Sequence, residues 1–144
     1  MSVLVLAEHN NIEIKAATYN TIFAASKIDS NVEVLLIGSG CEKLAKELST
    51  CQFVQKVLLL DKTQFDHPIA ELYAPVIVSL SENYTHIIGP ATTFGKNIFP
   101  RVAVKLDISQ VSDVIKIIEG DTFVRPIYAG NALETVRSND VKKI

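Results

Sequence analysis

The chain has 144 residues, a net charge of −2, and 48% hydrophobic against 21% charged residues. That size predicts a single domain, residues 1–144, with apolar material for one packed core. Its slight acidity and scattered lysines exclude the basic face that nucleic acid needs. No apolar run approaches the about 20 residues that cross a bilayer, so no membrane insertion is expected.

Val3-Leu-Val-Leu-Ala7 is a continuous apolar run of strand length, as in a strand covered on both faces. It begins almost at once, without a basic or apolar leader, which predicts a soluble protein with the cytoplasm as default compartment. A processed organellar protein would instead sit in the mitochondrial matrix. Ile14 to Ile28 carries an apolar stripe at near-helical spacing, and Val32 to Gly38 is a second strand. Cys41 to Cys51 predicts a short helix with Leu44, Ala45 and Leu48 on one face and both cysteines buried as small apolar residues. Ten residues apart, with no matching histidines, they suit neither a zinc site nor a redox pair.

Lys56 to Leu60 is a third strand, and Pro68 suits the first turn of a helix reaching about Asn83. Pro75 should bend or break that helix. Thr85 to Gly89 is a fourth strand, followed by a helix from about Phe94 to Leu106 that Pro100 would cut, leaving Asn97 to Phe99 as a turn. Strands alternating with helices imply parallel pairing with right-handed crossovers. From Val111 the pattern changes. Val111 to Ile118, Thr122 to Tyr128 and Ala132 to Arg137 are short strands joined by Glu-Gly-Asp and Ala-Gly-Asn turns, an antiparallel extension. Ile144 falls near the start of what would be another strand. The fold expected is α/β, a parallel sheet flanked by helices with Rossmann-like character, plus a carboxy-terminal antiparallel β extension.

Ligands of open α/β sheets lie beyond the carboxyl ends of the strands, here Ala7-Glu8-His9, Gly38-Ser-Gly40 and Gly89 to Thr93. Gly38-Ser-Gly40 before a helix is able to present amides to a phosphate. It lacks both nucleotide fingerprints, and a tight turn capped by Ser39 is the plainer reading. Glu8 and His9 form a carboxylate–imidazole pair at a strand end, suited in isolation to acid–base work. His86 reads as a partly buried imidazole with its hydrogen bonds met, and His67 as a loop residue. Lys96, Arg101, Lys105 and Arg125 form a candidate basic cluster. Arg101, set among Phe99, Val102 and Val104, calls for a bidentate partner, and Asp113 is the candidate, tying the extension to the helix. The rival role for these arginines is a cation near a flavin or a partner subunit.

The run from Gly89-Pro-Ala-Thr-Thr-Phe-Gly-Lys96 through Pro100-Arg-Val-Ala-Val-Lys-Leu106, then Ser112-Asp113 and Arg125 to Ala132, resembles the amino-terminal domain of the electron transfer flavoprotein alpha subunit. The family pattern is Gly-x-Ser/Thr-x-x-Gly-Lys-x-x-x-Pro-Arg-Val-Ala-x-Lys-Leu, then Ser-Asp and Arg-x-x-Tyr-Ala-Gly-Asn-Ala, and Val3 to His9 fits as well. The resemblance covers Val3 to Val141. It implies a fold similar to the adenine nucleotide alpha-hydrolase-like proteins. It also implies a role as scaffold and subunit interface, with Glu8, Arg101, Asp113 and Arg125 as candidate structural or interface residues and no catalytic residue. The partner implied is the beta subunit. The complete heterodimer would take electrons from acyl-CoA and other dehydrogenases, as in fatty acid β-oxidation, and pass them through FAD to a quinone oxidoreductase or other acceptor. FAD belongs mainly to a carboxy-terminal domain absent from this sequence, and AMP to the beta subunit, so this chain alone is expected to hold no cofactor. A universal-stress-type nucleotide-binding domain is the first alternative. It would need G-x2-G-x9-G-[ST] after the fourth strand, whereas Gly89 and Gly95 are six apart and the next glycine is Gly120. A free-standing interaction module is the second.

Overall fold

The computed structural model describes residues 2–144. Four parallel strands, β1 (Val3–Leu6), β2 (Val32–Gly38), β3 (Val54–Asp61) and β4 (His86–Ile88), form one sheet in the order β3-β2-β1-β4. Three antiparallel strands, β5 (Lys116–Glu119), β6 (Thr122–Ile127) and β7 (Ala132–Arg137), form a second sheet in the order β5-β6-β7. The helices are α1 (Ala16–Ala25), α2 (Glu42–Ser49), α3 (Ala70–Leu80) and α4 (Thr93–Leu106).

β1 is central, and each of its four side chains is at most 1% exposed. Alternation along the strand divides them between two cores. Leu4 and Leu6 join Leu35 and Ile37 beneath α3 and α4, with Tyr73, Ile77, Ile98 and Phe99. Val3 and Val5 join Val32, Val34 and Leu36 beneath α1 and α2, with Ile22, Leu44 and Leu48. The sheet is thus covered on both faces, which is why its strands read as unbroken apolar runs.

Neither internal proline ends its helix. α3 continues through Pro75 and α4 through Pro100, so Asn97 to Phe99 is helical and not a turn. Both prolines are exposed, as are Glu71 and Lys96 four residues earlier. The carbonyls that lose a helical partner therefore have solvent in its place. Pro68 lies just before α3, whose N-cap is Ile69, so it is outside the first turn. Cys41 is the N-cap of α2 and Cys51 lies past its end. Cys41 is buried and Cys51 half-buried.

α4 is seated tightly on β4. A Cβ on Gly89 would fall 2.0 Å from the Phe99 ring, and one on Gly95 would fall 1.9 Å from the Pro90 carbonyl oxygen. These two glycines allow the helix to approach that closely.

The first antiparallel strand is shorter than expected. Val111 to Ile115 are irregular and β5 begins at Lys116. Val111 donates its amide to the Ile144 carbonyl at 2.7 Å, so this segment is tied to the carboxy-terminal tail before it reaches the meander. The two sheets are joined through His86 of β4, whose Nε2 donates to the Gly120 carbonyl in the β5–β6 turn at 2.5 Å. The tail completes the junction, since Lys143 forms a parallel bridge to His86. No helix among the described residues is long and apolar enough to cross a membrane.

Candidate functional site

The strand order makes β1 the reversal point of the parallel sheet, with β2 and β3 added on one side and β4 on the other. In open α/β sheets the ligand crevice lies between the carboxyl ends of such a pair, here β1 and β4. Glu8, just past β1, accepts a hydrogen bond from Thr92 Oγ1 at 2.7 Å. Thr92 is the N-cap of α4, and its hydroxyl makes no capping bond to that helix. Glu8 is held from behind by Thr18 of α1, whose Oγ1 accepts from the Glu8 amide at 2.9 Å and donates to the Glu8 carbonyl at 3.0 Å. The two strand ends are therefore bridged by the chain's own side chains.

The loop after β2 is similarly engaged. The Ser39 amide donates to Asn11 Oδ1 at 3.1 Å, and the Gly40 and Cys41 amides donate to the two carboxylate oxygens of Asp61 at 2.7 and 2.8 Å. Asp61 therefore caps α2, correcting the expectation that Ser39 does so. Its carboxylate occupies the place that an anion takes at a helix N-terminus. These amide hydrogen bonds hold the Asp61 pKa below the ordinary carboxylate range. Burial, with the Asp61 charge beside it, pushes the Cys41 thiol up to about 11. A thiol so far from ionisation is a poor nucleophile at neutral pH.

His9 is committed to backbone partners. Its Nδ1 accepts from the Asn11 amide at 3.0 Å and its Nε2 donates to the Ile37 carbonyl at 2.7 Å. Tyr73 donates to the same carbonyl at 2.8 Å. Burial lowers the pKa of both His9 and His86. Glu8 and His9 are adjacent in sequence yet engaged with different partners. Among the described residues no group of three or more His, Cys, Asp or Glu side chains is placed to hold a metal ion.

Three of the four residues of the basic cluster form separate pairs, and the fourth, Lys105, is exposed near the end of α4. Arg101 bonds Glu71 of α3 at 3.0 Å, and both side chains are about half exposed. Asp113 bonds Lys96 at 2.9 Å. The expected Arg101–Asp113 pair is absent, and Lys96 makes the link between α4 and the loop before β5 in its place. One helical turn explains the exchange: Phe99 and Val102 point into the core, leaving Arg101 on the face towards α3. Arg125 bonds Glu134 at 2.7 Å, directly opposite it in the β6–β7 register.

Between α1, the edge of β4 and residues 110–118 lies a groove of about 840 Å3, floored by Ile87, Ile88 and Phe99. Sequence reasoning missed this groove and the closing roles of Thr92, Asn11 and Asp61. A signal for Asp61 was present, since an acid ends the third apolar run where β3 emerges beside the β2 loop.

A doubly covered parallel sheet with an antiparallel appendage defines the structural class. The family model of the electron transfer flavoprotein domain matches residues 3–144, and the chain belongs to that family. It is 44% identical over its whole length to the electron transfer flavoprotein subunit alpha of Pseudomonas aeruginosa, covering 47% of that protein. It is 46% identical to the subunit alpha of Bradyrhizobium diazoefficiens over its whole length, covering 46%. Over 98% of the chain it is 44% identical to the mitochondrial subunit alpha of Dictyostelium discoideum, covering 42%. The chain thus spans about half the length of these curated relatives and corresponds to their amino-terminal domain. The universal-stress alternative is not favoured.

The buried histidines set an acid limit on stability. The unfolded chain titrates its histidines near 6.5, while burial lowers His9 and His86 in the fold. Unfolding therefore takes up protons as pH falls below about 6.5, and the stability due to neutral burial is lost through the folded pKa values. Urea midpoints measured at pH 7.5 and 5.5 should fall on acidification, and less so in His86→Gln. Equal midpoints in the parent chain would contradict this.

Because Arg101 and Glu71 are both solvent-facing, Arg101→Ala should change stability by no more than about 1 kcal/mol. A loss of several kcal/mol in denaturant titration would show a buried role that this geometry lacks.

Proposed function

We infer that this chain works as the scaffold and subunit-interface domain of an electron transfer flavoprotein alpha subunit and holds no nucleotide itself. The observation that carries this reading is the internal saturation of the strand-end crevice. The Ser39, Gly40 and Cys41 amides, which would be needed for a phosphate, are taken by Asn11 and Asp61, and Thr92 is taken by Glu8. Residues 1–144 form one folding unit on this reading, because His86 and the tail bind the meander to the parallel sheet.

Flavin chemistry in the complete protein is electron carriage, in which FAD accepts and passes on electrons while the surrounding protein binds and orients it. This reading assigns the FAD contacts to the part of the subunit outside this chain, and the beta subunit as the partner. Acyl-CoA and other dehydrogenases are the donors and a quinone oxidoreductase the acceptor, reached through the heterodimer. No residue of this chain is assigned a catalytic role. Glu8 and Asp113 serve to fix loops, Arg101 to join α3 to α4, and Arg125 to hold the meander's register. The protein would work in the bacterial cytoplasm or, in a eukaryote, the mitochondrial matrix.

The meander supplies the partner-facing surface. Leu133 is 65% exposed opposite Pro126, and Tyr128, at the β6–β7 turn, is 78% exposed. Both are apolar side chains left in solvent on the meander, and this supports placing the contact there. Leu133→Asp in the full-length alpha subunit should weaken beta-subunit association at least tenfold while leaving its circular dichroism unchanged. Unaltered affinity in a calorimetric titration would remove the meander from the interface.

A further inference from the structure

We propose that residues 10–13, the loop after β1, form a pH-sensitive latch that neutral His9 holds closed. When His9 takes up a proton the latch opens and frees the neighbouring loops at the carboxyl ends of the strands.

The hydrogen bonds fix the state of the ring. The Asn11 amide only donates, so Nδ1, which it reaches at 3.0 Å, carries no proton. The Ile37 carbonyl only accepts, so Nε2, at 2.7 Å, carries the proton. An imidazolium has two donors and no acceptor. Protonation at Nδ1 therefore sets one N–H against another. Turning the ring gives no relief, because neither nitrogen is then able to accept from Asn11. His86 differs: its Nδ1 faces the Thr85 hydroxyl at 2.9 Å, which rotates to donate or to accept.

Asn11 joins three loops. Its backbone is in the left-handed region, at φ 66°, where its bonds keep it. Its Oδ1 accepts from the Ser39 amide at 3.1 Å, after β2, and its Nδ2 donates to the Asp66 carbonyl at 2.9 Å, before α3. Residues 10–13 move as one piece, because Asn10 Oδ1 accepts from the Ile12 and Glu13 amides at 3.0 and 2.8 Å. Once Asn11 leaves Nδ1, this piece swings out with Ile12, already 82% exposed, at its tip, and the Ser39 amide loses its acceptor.

The ionisable groups facing His9 are Asp66 and His67 across a cavity of about 250 Å3, Cys41 across Gly38, and Tyr73 on the shared Ile37 carbonyl. The side chains of Asp66 and His67 are 61% and 84% exposed, so water screens them. Burial pushes the Cys41 thiol up to about 11 and the Tyr73 hydroxyl up to about 12, so both are neutral. Asp61 is bonded to the Gly40 and Cys41 amides. On the histidine's own segment Glu8 is bonded to Thr92, and Glu13 to Lys15. Burial thus dominates and keeps the ring neutral at pH 7, with opening below the about 6.5 of a free imidazole.

The test is an NMR titration of the 144-residue chain from pH 7.5 to about 5, with a dispersed spectrum at pH 7.5 as the check of folding. The His9 nitrogens should report the Nε2–H form at the start. On acidification the Asn11 and Ser39 amide signals should move at the midpoint of the His9 ring. Exchange of both amides, corrected for the intrinsic effect of pH, should quicken at least tenfold while β1 stays protected. His9→Asn places a carbonyl oxygen that does not titrate near the Nδ1 position, and should abolish the loop transition. His67→Gln should leave it in place. A His9 ring that titrates while the Asn11 amide stays still would overturn the latch, as would an initial Nδ1–H form. A loop transition that survives in His9→Asn would assign the opening to Asp66 or His67 and overturn it too. If His9→Asn does not fold, unequal ring and amide midpoints in the parent chain refute the latch and equal ones support it.

Discussion

The complete burial of β1 is the constraint from which the rest of the domain follows. Its four residues serve two cores at once, so helices lie on both faces, and the strands on both its edges run parallel to it. Its far end delivers Glu8 to the point where β4 ends and α4 begins, where Thr92 donates to the Glu8 carboxylate while Thr18 holds the Glu8 backbone. The same pressure brings α4 so near to β4 that Gly89 and Gly95 have no room for a side chain. Core packing and crevice closure are therefore one event.

This arrangement separates a fold from the use usually made of it. A parallel sheet of this order supplies a ligand crevice at the strand reversal and an anion site at the helix after β2. Here the anion site holds Asp61 and the crevice holds the Glu8–Thr92 bond. A carboxylate anchored by two amides gains from the same helix dipole that a phosphate would use. The proposed scaffold role rests on this contrast, since chemistry resides in sites and not in architecture.

The order of elements was legible in the sequence because doubly covered strands leave unbroken apolar runs and the meander leaves Gly-containing turns. The family was legible in the particular run from Gly89 to Lys105. What was misread depended on which way a side chain faces. Pro75 and Pro100 are helix breakers by local chemistry, but both sit where the freed carbonyls meet water. Arg101 looked buried because its neighbours Phe99 and Val102 are, and one turn of helix places it towards Glu71. Asp113 was found as a pairing residue and assigned the wrong cation, since Lys96 is nearer. The Asp61 cap joins residues 20 apart or more through a sheet register that sequence spacing does not reveal.

The central claim is that the chain's own side chains occupy the nucleotide positions of its fold. Calorimetric titration of the purified 144-residue chain with FAD, AMP and ATP tests it most directly. The account predicts no saturable heat with any of the three at concentrations up to about 1 mM, where binding free energy is only about −4 kcal/mol. One-to-one binding of AMP or ATP with micromolar affinity would contradict it, because a phosphate would then have displaced Asp61 or a base would have opened the Glu8–Thr92 bridge.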